Sequence, residues 1–456
     1  MTHFVDPNSR HEPIGIRLSD LSEGRTKYWT TQAIPYWWRA AVPRTGPWPA
    51  PPKKADVVVI GAGFSGLSAA LVLARAGRQV VVVDAFVPGY GASTRNGGQI
   101  GSGNQKFRVK TLVEMKGERK AVELLHEGVE MLDGIEALIK EEKIDCSFVR
   151  CGRFRGAMRV EHYDTMARDM QDLKRYANVD SYMVNRAEQH KEIGTELFHG
   201  GSVLPMDASL HPGKYHSGLL ARVIDAGGTV HGHLPVRAIS SERNGHTIHF
   251  ERFSIQARDV LVATNGYTKN VGAFFRKRIV PIRSAQITTE EIAPDIFTRL
   301  MPTRRAYGNT NRVFFYFRPA PDENRLIWGG RSNHFARDSV LAAYTHLAHD
   351  LLRTFPILGE VKVSYAWSGL IGYTYDEFPH LGRSPDGLYY AMGYCGTGVS
   401  RSTHFGRKIA LQMLGKPEGR SAFDELSFPS HTFHAFAKPA VPFVEGWYRL
   451  RDATGL

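Results

Sequence analysis

Gly61, Gly63 and Gly66 stand in the spacing G-x-G-x-x-G, and an acid, Asp84, follows at the distance of one helix and one strand. Each glycine has its own task in binding a dinucleotide. The first permits a tight turn, the second lets main chain approach a pyrophosphate, and the third lets the following helix pack on the preceding strand. The N–H groups of such a turn and the positive end of the helix dipole hold a diphosphate. Gly61, Ala62, Gly63, Phe64, Ser65 and Gly66 are therefore expected to bind the cofactor. The carboxylate of Asp84, with Ala85 beside it, is placed to accept hydrogen bonds from ribose hydroxyls. That acid disfavours a 2′-phosphate and so argues against NADP, while leaving NAD and FAD open.

The surrounding sequence supplies the elements this site needs. DVVVI, from Asp56, is a short continuous apolar run, as expected of a strand buried on both faces of a parallel sheet. LSAALVLARAG continues the glycine turn as a helix ending near Gly77, and QVVVVD, from Gln79 to Asp84, reads as the next buried strand. Together they form a βαβ unit. DVLVATNG (Asp259 to Gly266) and LYYAMGY (Leu388 to Tyr394) read as further strands of the same sheet. Half-buried strands such as RVFFYFRPA and NRLIWGGR punctuate the stretches between. The expected fold is α/β, α+β overall: a Rossmann-like cofactor-binding domain with an interleaved, mainly antiparallel substrate domain. The expected boundaries are an arm over 1–52, a cofactor-binding part from 53–105, 205–272 and 360–430, a substrate part from 106–204 and 273–359, and a tail over 431–456. The arm is rich in Pro and Trp (Tyr28 to Pro43, YWTTQAIPYWWRAAVP) and reads as a segment packed over a domain.

A chain of 456 residues exceeds what one core usually organises. No apolar run approaches the roughly 20 residues of a membrane span, and the N-terminus lacks a signal-peptide core, so a cytoplasmic location is expected. Cys146, Cys151 and Cys395 are too few for a disulfide framework and have no zinc-ligand spacing. The net charge of +13 comes from scattered short groups, not a block. It is therefore read as solvated faces plus a pocket for an anionic small molecule, with no nucleic-acid partner expected.

VPGYGASTRNGGQIGSGN, from Val87 to Asn104, carries six glycines among polar residues and no hydrophobic period. Such main chain can lie against a flat ring. With the glycine turn, this segment resembles the amine- and amino-acid-oxidising flavoproteins of the D-amino acid oxidase, glycine oxidase and sarcosine oxidase type. It is most similar to the gamma-glutamylputrescine oxidase branch, with an iminodiacetate oxidase-like member also in view. The resemblance covers residues 55 to 415. It is carried further by HPGKYHSGLLARVIDAGGTVHG (from His211), VATNGYT (from Val262), WSGLIGYTYDEFPHLGR (from Trp367) and GYCGTGVSRSTHFGRKIA (from Gly393).

The resemblance implies FAD as cofactor. Its ring would be bound by Ser93, Thr94, Arg95, Asn96, Gly97, Gly98 and Gln99, and its adenine would meet Val236. Thr264, Asn265, Gly266 and Gly369 would pass nearby, and Gly396, Thr397, Gly398, Val399 and Ser400 would present main-chain N–H groups to the isoalloxazine. A helix N-terminus there stabilises charge on the reduced ring. Sarcosine oxidases attach flavin through a cysteine in the stretch matching Leu370 to Asp376. This chain has Gly372 and no cysteine there, so non-covalent binding is expected, and Ser400 replaces their substrate-binding lysine.

Hydride removal from a neutral amine requires a dry pocket and no strong protein base. Alternation in RVFFYFRPA puts Phe314, Tyr316 and Arg318 on one side. Tyr316 is expected to orient the amine and Arg318 to pair with a carboxylate. The expected substrate is a carboxylate-bearing secondary amine, N-substituted glycine or iminodiacetate-like, with oxygen as acceptor. The alternatives are a gamma-glutamylputrescine-type conjugate, a dehydrogenase or demethylase using another acceptor, and a tRNA-modifying flavoprotein.

Overall fold

The computed structural model describes residues 14–17, 34–102, 106–268, 271–332 and 340–454; Tyr28 to Ala33 of the aromatic arm lie outside them. Two sheets organise the chain.

In the first sheet, Lys54–Ile60 runs parallel to Val80–Val83 on one side and to Ser254–Val262 on the other. Thr229–His231 extends it past Val80–Val83, and Tyr389–Met392 pairs in parallel with Leu261 and Val262. Val57 to Ile60 and Val80 to Val83 are buried on both faces, which is why these runs read as continuously apolar. The helix Phe64–Arg75 turns Leu67, Leu71 and Leu73 into the core beneath this sheet.

The second sheet has nine strands. From one edge they run Ile14–Arg17, Glu360–Tyr373, Val280–Thr289, Leu326–Arg331, Tyr316–Pro319, Ala306–Asn309, Arg153–Gly156, Gly201–Leu204 and Tyr182–Val184. The pairing is antiparallel except between Ala306–Asn309 and Arg153–Gly156, so the expectation of a mainly antiparallel second part holds.

The boundaries differ from the expected ones in two places. Glu360–Tyr373, assigned to the cofactor-binding part, is a long strand of the second sheet, paired with Val280–Thr289. Conversely, the helix Glu118–Glu141, assigned to the substrate part, buries Leu124, Leu125, Met131, Leu132 and Ile135 in the same core as Val57 and Leu67. Its apolar stripe is satisfied only by the cofactor-side core, a choice that order along the chain does not reveal.

The described part of the arm adds the strand Ile14–Arg17 to the second sheet and forms a short 3-10 helix, Tyr36–Arg39, packed against Ala320, Ile327 and Trp367. Trp37 is fully buried with its ring edge-on to His211, and both tryptophans hydrogen-bond to the loop after Val87. No described helix is long and apolar enough to cross a membrane.

Candidate active site

The two sheets enclose a cavity of about 1610 Å³. This exceeds the roughly 300–1,000 Å³ of an ordinary small-molecule site and leaves room for a cofactor and a substrate together. All the expected site residues line it except Ala62, Gly66, Thr94 and Arg318.

At one end lies the glycine turn. Gly61 has φ of +107° and Ala263 O so near that a Cβ would come within 2.7 Å of it, so the turn needs glycine twice over. A Cβ on Gly66 would come within 1.9 Å of Gly61 O, which makes Gly66 a packing glycine that brings the helix onto the strand. That duty keeps it off the cavity surface. Ala62 is likewise turned to the protein: its N–H donates to Asp84 Oδ2 (2.9 Å) and its carbonyl accepts from His216 Nε2 (2.7 Å). Burial lowers the His216 pKa to about 4, so the ring is a neutral donor. Burial also raises Asp84 to about 6, against the lowering effect of the Phe86 and Ala62 N–H groups. Ser93 Oγ accepts the N–H of Phe64 at 3.0 Å, bringing the second glycine-rich segment to the helix N-terminus.

That second segment is fixed mainly through its main chain. Asn96 Oδ1 accepts the Gly98 N–H (2.8 Å), and its Nδ2 donates to Ala92 O and Ser93 O. The carbonyl of Arg95 accepts from Gln286 Nε2 and Trp367 Nε1, while the Arg95 guanidinium donates to Tyr90 O and Ser368 O and lies over the rings of Trp38 and Tyr90. Thr94 is the correction here. It is buried behind the loop, accepting from Trp38 Nε1 and donating to Gly89 O, so it holds the loop's shape and does not face a ligand.

The C-terminal segments complete this end. Gly396 takes φ of +93°, and the helix Gly398–Met413 points its first turn, Gly398, Val399 and Ser400, at the cavity. Asn265 Oδ1 accepts the Gly393 N–H, and Tyr394 OH meets Ser65 Oγ at 2.6 Å, so the strand ends arrive together. Main-chain donors at two helix N-termini, a buried acid and a glycine-built cradle fit a dinucleotide carrying a flat ring.

The opposite wall is the face of the nine-stranded sheet. Tyr316 lies on it as expected, its ring against Gly97 and Gly329 and its hydroxyl 3.5 Å from Ser284 Oγ. Arg318 does not reach the cavity. It is buried two residues further along the same strand, donating from Nη1 to Leu210 O (2.8 Å) and Gly98 O (3.3 Å) and from Nε to Pro319 O. Burial lowers its pKa to about 10. Its role is to brace the second glycine segment, because a guanidinium sunk among carbonyls is spent on them.

Among the cavity arginines that sequence reasoning missed is Arg331. It ends the strand Leu326–Arg331, two residues beyond Gly329 and hence on the Tyr316 face. Its Nη2 donates to Tyr373 OH at 2.7 Å, and its Nε lies 3.5 Å from Glu445 Oε1 of the C-terminal helix His434–Thr454. Burial works to lower its pKa, but Tyr373 and Glu445 outweigh it and hold the guanidinium above its ordinary value. Lys106 Nζ stands over the Tyr373 ring, 3.4 Å from its hydroxyl. The only hint in the sequence was a charged residue after the paired glycines of NRLIWGGR.

Comparison with known proteins agrees with this geometry. The profile of the DAO family, FAD dependent oxidoreductase, matches residues 56–412. The chain is 32% identical to gamma-glutamylputrescine oxidoreductase of Escherichia coli, over 88% of this chain and 93% of that one. It is 30% identical to the probable oxidoreductase OrdL of Haemophilus influenzae, over 82% and 86%. Among solved structures, glycine oxidase of Geobacillus kaustophilus superposes with a TM-score of 0.70 at 21% identity, over 84% of this chain and 99% of that one.

Proposed function

The chain belongs to the DAO family of FAD-dependent oxidoreductases, which act on amines and amino acids, and on that premise we propose that it oxidises the C–N bond of an amine carrying a carboxylate. The observation that carries this reading is Arg331: a half-buried guanidinium on the cavity wall beside Tyr316, held by the Tyr373 hydroxyl and by Glu445. FAD held there would supply the two-electron acceptor for the hydride on the carbon beside nitrogen, with oxygen as the final acceptor in this reading and hydrogen peroxide as product.

The residues that would hold the cofactor are the glycine turn, Asp84, Ser93 to Gln99 other than Thr94, Val236, Thr264 to Gly266, Gly369 and Gly396 to Ser400. No cysteine lies in the Leu370 to Asp376 stretch, in keeping with non-covalent binding. Arg331 holds the substrate carboxylate, so the amine-bearing carbon is oriented by a charge pair that water inside the cavity screens little. Tyr316 covers the approach beside Gly97. The amine loses its own proton on the way to the imine, and water then hydrolyses that imine to an amine and an aldehyde or glyoxylate. An N-substituted glycine or iminodiacetate-like compound meets these demands.

A second reading is a gamma-glutamylputrescine-type conjugate. It is favoured by the likeness to the Escherichia coli enzyme and by a cavity that continues past Tyr316 to Arg155. Anaerobic mixing of the holoenzyme with N-carboxymethyl amines and with the conjugate tests both, by loss of flavin absorbance. Peroxide production in air then tests oxygen as the acceptor. Failure of every carboxylate-bearing amine to bleach the flavin would overturn the reading.

A further inference from the structure

The last helix, His434–Thr454, has two faces of opposite character. Its inner face is fixed to the protein. Ala437 and Val441 pack with Val280, Tyr373 and Cys395, His434 Nδ1 meets Tyr375 OH at 2.6 Å, and Glu445 Oε1 lies 3.5 Å from Arg331 Nε. Near the end, Asp452 accepts the N–H groups of Arg312 and Val313, each at 3.0 Å. Both acids of the helix are thereby turned inward. On the outer face stand Phe436, Phe443, Trp447 and Leu450, exposed by 68%, 74%, 54% and 50%. Their successive spacings of seven, four and three residues place all four within about 60° of one another around the axis, at ~100° per residue.

Pro439, Ala440 and Gly446 lie between these four, so the stripe carries no charge along its length. Single exposed apolar side chains are ordinary, but a continuous aromatic stripe marks a surface that something covers. A second copy of the chain would bury too little there. A helix of 21 residues is about 32 Å long, and a stripe ~10 Å wide gives on the order of 600 Å² across a pair, below the roughly 1,200 Å² of a stable interface. The surrounding charge favours lipid instead. The chain carries +13 formal charges. Arg276 and Lys277, both exposed, line the cavity together with His434 and Ala435 at the start of the helix, and Arg449 is exposed near its end. Phe, Trp and Leu side chains flanked by Arg and Lys, with no acid facing outward, suit a helix lying in the headgroup region of an anionic bilayer. The helix is not long and apolar enough to cross a bilayer, so it lies along the surface.

We infer that the outer face of His434–Thr454 is a docking surface for an anionic lipid bilayer. Phe436, Phe443, Trp447 and Leu450 sit among the headgroups, and Arg276, Lys277 and Arg449 meet the lipid anions beside them. Apolar burial and attraction to anionic lipid act together, so docking weakens with added salt without vanishing. The inner face of the same helix reaches Arg331 through Glu445, so docking brings the cavity wall to about one helix diameter, ~10 Å, from the bilayer. The inference concerns where the protein works and holds whichever amine it oxidises.

Flotation of the full FAD-loaded chain with phosphatidylcholine vesicles, and with vesicles of about one-third phosphatidylglycerol, tests the docking. Partition onto the anionic vesicles is expected to exceed that onto phosphatidylcholine by on the order of tenfold at low salt. The double substitution Phe443→Ser with Trp447→Ser should lower partition onto the anionic vesicles by on the order of tenfold or more, with flavin content and melting temperature unchanged, because both side chains point away from the protein. Phe436→Ser with Leu450→Ser, at the two ends of the stripe, should do the same. Lys277→Gln with Arg449→Gln should weaken partition less and flatten its salt dependence. No partition onto either vesicle, or partition that both serine pairs retain, overturns the proposal. A lipid-free dimer in sedimentation velocity that the serine pairs dissociate would overturn it too, giving the face to a second copy.

Discussion

Along the parallel sheet the cavity is lined by the main chain of the glycine turn and of Gly396 to Ser400; across the nine-stranded sheet it is lined by side chains, Arg331 and Tyr316 among them. The first region needs residues that have no side chain in the way. The second needs particular side chains held at a particular point, and most of its charged groups are already occupied. Arg318 and Arg331 illustrate this, since both project on the Tyr316 face, yet one is consumed by the carbonyls of Gly98 and Leu210 and the other stands in the cavity. A main-chain site is therefore broken by adding atoms, and a side-chain site by removing them.

The sharpest break follows from adding one carbon at Gly66. With Gly61 O 1.9 Å from the new Cβ, Gly66→Ala should cost about 3 kcal/mol of stability by overpacking and yield protein that melts early and carries little FAD. Thermal melts and the ratio of flavin to protein absorbance measure both. On the other wall, Arg331→Met should lower kcat/KM for carboxylate-bearing amines by about 100-fold, through KM more than through stability. Arg318→Met should do the reverse, costing about 2 kcal/mol by taking the donor from the Leu210 carbonyl while shifting KM far less. Equal kinetic effects of the two would erase the distinction between brace and anchor.

A smaller effect concerns Asp84. Burial raises its carboxyl to about 6, so without cofactor the group holds its proton below that pH. Ribose hydroxyls donate to the ionised form, so bound FAD favours deprotonation. FAD affinity should thus weaken as pH falls through about 6, by up to about tenfold per pH unit, and Asp84→Asn should flatten that slope. A pH-independent Kd in the native protein would remove Asp84 from the ribose site. Smallest, Trp38→Phe should cost about 1 kcal/mol by taking one hydrogen bond from Thr94, and should loosen the flavin loop measurably in urea titrations.

The glycine fingerprint, the buried strands beside it and Asp84 could be read directly, because each demand there is local: a positive φ, a close approach, an apolar run. The second glycine segment was legible as a unit but not residue by residue. Thr94 looks like its polar neighbours in sequence and is turned away only because Trp38, from the distant arm, lies against it. Alternation in RVFFYFRPA gave the correct face for Tyr316 and Arg318, but periodicity carries no depth, and depth is what separated them. The helix Glu118–Glu141 showed its apolar stripe without showing which core would receive it.

Sequence by itself determined the backbone-made half of this protein: a βαβ unit whose glycines and acid allow one kind of cofactor cradle, since steric freedom is a property of the residue alone. Tertiary structure alone decided that Arg331 and not Arg318 faces the cavity, and that the aromatic arm braces the loop after Val87. The charge balance of a buried side chain depends on neighbours brought from distant parts of the chain, and only folding sets those neighbours.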